Sequence, residues 1–103
     1  MVLPIPNRRR FTRVVVPNNV HVRCWGEDFR GRVRVLSEGG MFIDTMHTRP
    51  DGTEMEVFIE GKEIIHTRCV SRDHEPGCGM GVEFINPAKT EQERIRELIS
   101  RFV

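Results

Sequence analysis

Glu54-Met55-Glu56-Val57-Phe58-Ile59-Glu60 is the stretch that decides the fold class. Met55, Val57 and Ile59 recur every second residue, with Glu54, Glu56 and Glu60 between them and Phe58 as the one exception. A period of two marks a strand with one buried and one wet face. Gly61-Lys62 then offers a tight hairpin turn, and residues 63–71 read as the next strand. Upstream, Val20, Val22 and Cys24 alternate with His21, Arg23 and Trp25, and Val33 and Val35 alternate with Arg32 and Arg34. By this pattern Val35 faces the core. Met41 to Asp44 and Met80 to Ile85 are two further extended runs, the latter with Met80, Val82 and Phe84 on one side. Breakers separate the runs: Asn18-Asn19, Gly26 to Asp28, Arg49-Pro50-Asp51-Gly52, and a polar loop over residues 72–79.

The period changes at the C-terminus. Thr90-Glu91-Gln92-Glu93 has the form of a capping box, and Ile95, Leu98, Ile99 and Phe102 follow at helical spacing. Six or seven short strands and one terminal helix indicate an all-β barrel or sandwich closed by that helix.

The chain has 103 residues, enough for one core, with 38% hydrophobic and 30% charged residues and a formal net charge of +1. A general polyanion binder carries a larger positive excess, so DNA or RNA as a polymer is disfavoured. The positive charge is local, at Arg8, Arg9, Arg10 and Arg13. No apolar run is long enough to span a bilayer, and the basic residues follow the apolar Met1 to Pro6 instead of preceding it. The expectation is a cytoplasmic protein without membrane insertion. Cys24, Cys69 and Cys78 form no CxxC pair, so neither a disulfide scaffold nor a zinc knuckle is expected, and Cys24 and Cys69 read as core residues. His74 and Cys78 make at most half a metal site, and no metal is expected. Trp25 reads as a cap on the barrel end. No nucleophile, base and orienting group can be assembled, so an enzyme is not expected.

Two segments carry possible ligand chemistry. Residues 1–13 read as a flexible arm, kept from regular pairing by Pro4 and Pro6 and ending in the arginines. A guanidinium donates two parallel hydrogen bonds to phosphate or to the O6/N7 edge of guanine. A solvated basic tail is the plainer reading of the arginines alone. Ser37-Glu38-Gly39-Gly40 interrupts a strand with a hydroxyl and two glycines, which permit positive φ or close approach of a ligand. Taken alone, it reads as a bulge or an ordinary turn.

Together they form RxxxR at Arg9 and Arg13, about two dozen residues, then xxSxxG at Ser37 and Gly40, followed by Met41-Phe42-Ile43. This arrangement resembles the PilZ domain family. Arg8 matches an arginine that often precedes the first motif, and Gly79-Met80-Gly81-Val82-Glu83-Phe84 is similar to the family's last barrel strand. The resemblance runs from Arg8 to the terminal helix. It implies a six-stranded antiparallel β-barrel of the split-barrel type, with an arm over residues 1–13 and the barrel over 14–103, its helix at 90–103. It implies a receptor module for cyclic di-GMP, the bacterial second messenger, with no other cofactor and no catalysis. Arg8, Arg9 and Arg13 would grip the ligand, and Ser37, Gly39 and Gly40 would line the barrel face beneath it. The arm would become ordered on binding and change contacts with a protein partner. One position departs from the family pattern: the second motif usually begins with Asp or Asn, and here that residue is Val35. Valine offers no acceptor to a guanine. The alternative reading is therefore a PilZ domain that has lost its nucleotide and acts through protein contacts in motility or pilus function. A small nucleic-acid-binding barrel is a third reading, resting on the basic arm and Trp25.

Overall fold

A computed structural model describes residues 11–17 and 19–103 of the chain. Most of the proposed arm, including Arg8, Arg9 and Arg10, therefore lies outside the described residues. Seven strands are described: β1 (Val14–Val15), β2 (His21–Cys24), β3 (Arg30–Leu36), β4 (Gly40–Asp44), β5 (Glu54–Glu60), β6 (Ile64–Glu75) and β7 (Gly79–Phe84). One helix follows, α1 (Lys89–Ser100). All pairings are antiparallel, in the order β1-β3-β2-β5-β6-β7-β4, and β3 also pairs with β4. That last pairing closes β2 to β7 into a six-stranded barrel. β1 stands outside the ring and extends the β2 edge of β3, pairing Val14 with Leu36 and Val15 with Val35. Closure removes the open sheet edges that would invite intermolecular pairing.

The alternating runs place their apolar members inside. Val57, Ile59, Val33, Ile43, Cys69 and Met80 are each fully or almost fully buried. Cys24 and Cys69 are core residues, and burial pushes the Cys69 thiol up to about 12, with Cys24 nearby adding to the shift. The buried polar side chains are bonded: the Thr45 hydroxyl donates to the Arg30 carbonyl at 2.7 Å, and the Ser71 hydroxyl to the Arg49 carbonyl at 3.1 Å. The helix buries Ile95, Leu98 and Ile99 against the barrel end. Leu98 fits over Gly61, where a Cβ would come within 3.3 Å of its Cδ1.

Four sequence expectations are corrected. First, the helix begins at Lys89 with Ala88 as its N-cap, so Thr90 lies inside the first turn. The capping carboxylate is Glu91, not Glu93: its Oε1 accepts from the Ala88 backbone N–H at 3.3 Å and from the buried Thr67 hydroxyl at 3.0 Å. Second, residues 72–75 are strand, not loop. Asp73, His74 and Glu75 pair with Gly81, Met80 and Gly79, and the turn is confined to residues 76–78, with Gly77 at φ +74°. Third, Val35 does not face the core. The β3–β4 register shifts between Val33 and Val35, which makes Arg34 an extra, bulged residue. A bulge resets the alternation, so Arg34 and Val35 both turn outward while Val33 and Leu36 stay in. Fourth, Trp25 does not cap the barrel. It is 63% exposed and leans on Phe58 of the outer wall at 5.9 Å between ring centroids.

Candidate functional site

Phe11 and Arg13, the described end of the first motif segment, lie beside the β3–β4 turn. Leu36 is fully buried and pairs with Met41, which fixes the turn on the barrel rim. Ser37 closes the turn on itself: its backbone N–H donates to the Gly40 carbonyl at 2.9 Å, and its Oγ donates to the same carbonyl at 3.3 Å. Oγ also accepts from the Gly39 N–H at 3.2 Å. The hydroxyl thus first shapes the turn, a role short hydroxyl side chains commonly take.

The two glycines are needed for close approach, not for unusual φ, since neither is among the positive-φ residues. A Cβ at Gly40 would run into the Val82 carbonyl oxygen of β7. A Cβ at Gly39 would meet the Phe11 ring at 3.0 Å. Phe11 therefore lies against the bare Gly39 backbone. This contact seats the chain just before Arg13 on the turn that carries Ser37.

Two cavities flank that turn. The larger, ≈ 570 Å³, runs from Phe11 and Gly39 across Ser37 and Gly40 to Gln92 and Arg96 of the helix. The second, ≈ 290 Å³, lies on the outer wall and is bordered by Arg13, Val35, Ser37, Gly40, Phe42 and Asp73. Ser37 and Gly40 are common to both. Of the six residues expected from the sequence, Arg13, Ser37, Gly39 and Gly40 therefore come together. Arg8 and Arg9 fall outside the described residues.

The charges around the turn are organised. Glu38 forms an ion pair with Arg96 of the helix at 2.8 Å, and that hydrogen bond raises the Arg96 pKa further. Arg34 reaches Asp44 at 3.0 Å and sits 5.2 Å above the Phe42 ring centroid. Asp44 also takes Arg32 at 2.9 Å. Arg72, the bulged residue of β6, pairs with Glu83 at 2.6 Å.

Sequence reading missed Phe42, Gly81 and Asp73. The available signal was Gly79-Met80-Gly81: two glycines on one face of a strand mean that something lies close against it. That something is Phe42. Its ring would meet a Cβ at Gly79 at 2.7 Å and one at Gly81 at 3.9 Å. His74 is taken up by Asp51, Nδ1 to Oδ1 at 2.7 Å, instead of joining Cys78. That hydrogen bond holds the Asp51 carboxyl below the usual range. No group of three or more side chains suited to a metal occurs among the described residues.

A family model described as PilZ domain matches residues 7–101. The chain belongs to the PilZ domain family. No curated protein sequence matches it. Among solved structures, the PilZ domain with c-di-GMP of YcgR from Escherichia coli superposes with a TM-score of 0.71 at 18% identity, covering 92% of this chain and 91% of that one. YcgR in complex with c-di-GMP gives 0.70 at 17%, covering 91% and 45%. The Bacillus subtilis inhibitor of motility MotI/DgrA gives 0.68 at 20%, covering 91% and 50%. The chain thus spans about half the length of those two proteins. The likeness establishes the six-stranded barrel with its terminal helix as a PilZ fold.

Proposed function

We propose that this PilZ domain is a non-catalytic cyclic di-GMP receptor whose ligand is held between the arginine segment and the β3–β4 turn. The single observation that carries the reading is the meeting of Arg13 with Ser37 and Gly40 around one cavity, 24 residues apart in sequence. A cyclic dinucleotide has two phosphates and two purines. Guanidinium groups suit both, by forked hydrogen bonds to phosphate and guanine and by stacking on bases. Arg8 and Arg9 precede Arg13 in the sequence, and Phe11, between them and Arg13, lies against Gly39 of the turn. The two YcgR structures similar to this fold are described with the same ligand.

The readout is conformational. Binding draws the segment carrying Arg8 and Arg9 over the ligand and alters the surface offered to a protein partner. Such a receptor acts in the cytoplasm, where the messenger is produced. No helix among the described residues is long and apolar enough to cross a membrane.

Titration calorimetry with cyclic di-GMP tests this. The expected result is a dissociation constant of about micromolar or tighter, with loss of measurable heat in Arg9→Ala and Arg13→Ala. Heats equal to buffer dilution for the wild-type chain overturn it.

A further inference from the structure

Val35 deprives the second motif of its usual acceptor, and the outer wall contains another carboxylate in the same row. Val35 pairs with Phe42, Phe42 with Gly81, and Gly81 with Asp73. These four residues form one cross-strand row over β3, β4, β7 and β6, and residues so paired share a face.

Two bulges bring the row outside. In β3 the extra residue Arg34 turns Val35 out although Val33 points in. In β6 the register shifts between Ser71 and Asp73, so Arg72 is extra and Asp73 is exposed although Ser71 is fully buried. Each bulge thus moves the residue two positions after an inward one to the outer wall. Gly81, between Phe42 and Asp73, contributes no side chain, so a trough lies between the aromatic ring and the carboxylate. Neighbouring strands are about 4.8 Å apart and the Phe42 ring already lies over β7, so about one strand spacing separates the ring from the strand that carries Asp73. Phe42 rests on the β7 backbone, and its other face is offered toward Arg34.

We propose that Phe42, Gly81 and Asp73 form a guanine-reading subsite, in which the Asp73 carboxylate accepts the N1–H and 2-amino hydrogens of a base lying beside the Phe42 ring. The inference rests on the cyclic dinucleotide reading above and adds which residue supplies base specificity. Guanine presents two adjacent donors on that edge, which a carboxylate matches with two charge-assisted bonds. Adenine presents an unprotonated N1 there and repels it. Among the described residues lining this cavity, Asp73 is the one carboxylate. The acceptor has moved along the row from β3 to β6.

Calorimetry on the full chain with cyclic di-GMP and cyclic di-AMP tests the assignment, using Asp73→Ala and Asp73→Asn. Asp73 is exposed, so both variants are expected to melt close to the wild type. The wild type should prefer cyclic di-GMP. Asp73→Ala should reduce that preference about tenfold to a hundredfold, and Asp73→Asn by less, since its amide oxygen still accepts one bond. An unchanged preference in Asp73→Ala, or equal weakening of both ligands, overturns the subsite while leaving the receptor reading intact. A wild-type chain that binds neither ligand overturns both.

Discussion

Two outer walls of the same barrel are built to opposite ends. On the β2–β5–β6 wall every residue keeps its register, and the polar side chains close on one another. Arg23 meets Glu60 at 2.7 Å, His66 meets Glu56 at 2.9 Å and Arg68 meets Glu54 at 2.8 Å. Phe58 is covered by Arg23 at 4.6 Å and by a stacked His66 at 4.6 Å. That wall satisfies itself. The β3–β4–β7 wall, with the end of β6, is interrupted by two bulges and by Gly40, Gly79 and Gly81. It gathers Arg13, Arg34 and Asp73 around a cavity. Regular alternation yields an inert surface. Departures from it concentrate recognition chemistry, because bulges redirect side chains and glycines let a ring or a ligand reach the backbone.

The contrast can be broken from the regular side with the largest effect. Ile59→Ala removes a fully buried side chain of β5 and should destabilise the fold by about 2–5 kcal/mol in urea or guanidinium unfolding. It should leave cyclic di-GMP affinity unchanged under conditions where the variant is folded. A large loss of affinity in the folded variant would mean that the two walls are not independent.

Gly40→Ala attacks the irregular side. Its Cβ collides with the Val82 carbonyl, so β4 and β7 must part at the site. A stability loss of about 1–3 kcal/mol is expected by the same unfolding measurement, together with weaker ligand binding. Unchanged stability would show that the close approach is not required.

Arg68→Ala sharpens the comparison at low energy. Its pair with Glu54 is exposed on both sides, 58% and 61%, so removing it should cost about 0–1 kcal/mol in chemical denaturation and nothing in binding. A loss well above that would assign this wall a stabilising network.

The smallest effect is a pH dependence at the far end of the β6–β7 hairpin. The hydrogen bond from His74 lowers the Asp51 pKa below its ordinary 3.8. A carboxylate depressed in the folded state adds stability above its unfolded pKa, and that contribution disappears as pH falls through the folded value. The difference in melting temperature between wild type and Asp51→Asn should therefore be present at neutral pH and disappear as the pH falls below 3.8 through the depressed folded value. A difference that persists in acid would contradict this origin.

The regular wall was the legible one. Met55, Val57 and Ile59 announced their strand by spacing alone, because burying one face of a sheet demands that spacing. Ser37 and Gly40 were legible through their motif, and Arg13 through its distance from them. Val35 was misread because a bulge adds a residue that no local pattern displays: Arg34 looks like any outward residue until the β4 register is known. Residues 72–75 were misread for a related reason. All four are polar, so no periodicity marks them, and pairing with Gly79 to Gly81 is what makes them strand. Asp73 was lost with that segment. Glu91 takes the place of Glu93 because the helix starts two residues earlier than the Thr-Glu-Gln-Glu pattern indicates, so the third helical residue is Glu91.

The most direct test of the account is amide chemical-shift mapping during titration of the isotope-labelled chain with cyclic di-GMP. Arg13, Ser37, Gly39, Gly40, Asp73 and Gly81 are expected to shift most, with residues 54–60 and 64–68 almost still. Saturating shifts centred on the Trp25–Phe58–His66 wall, or no shifts at all, would contradict it.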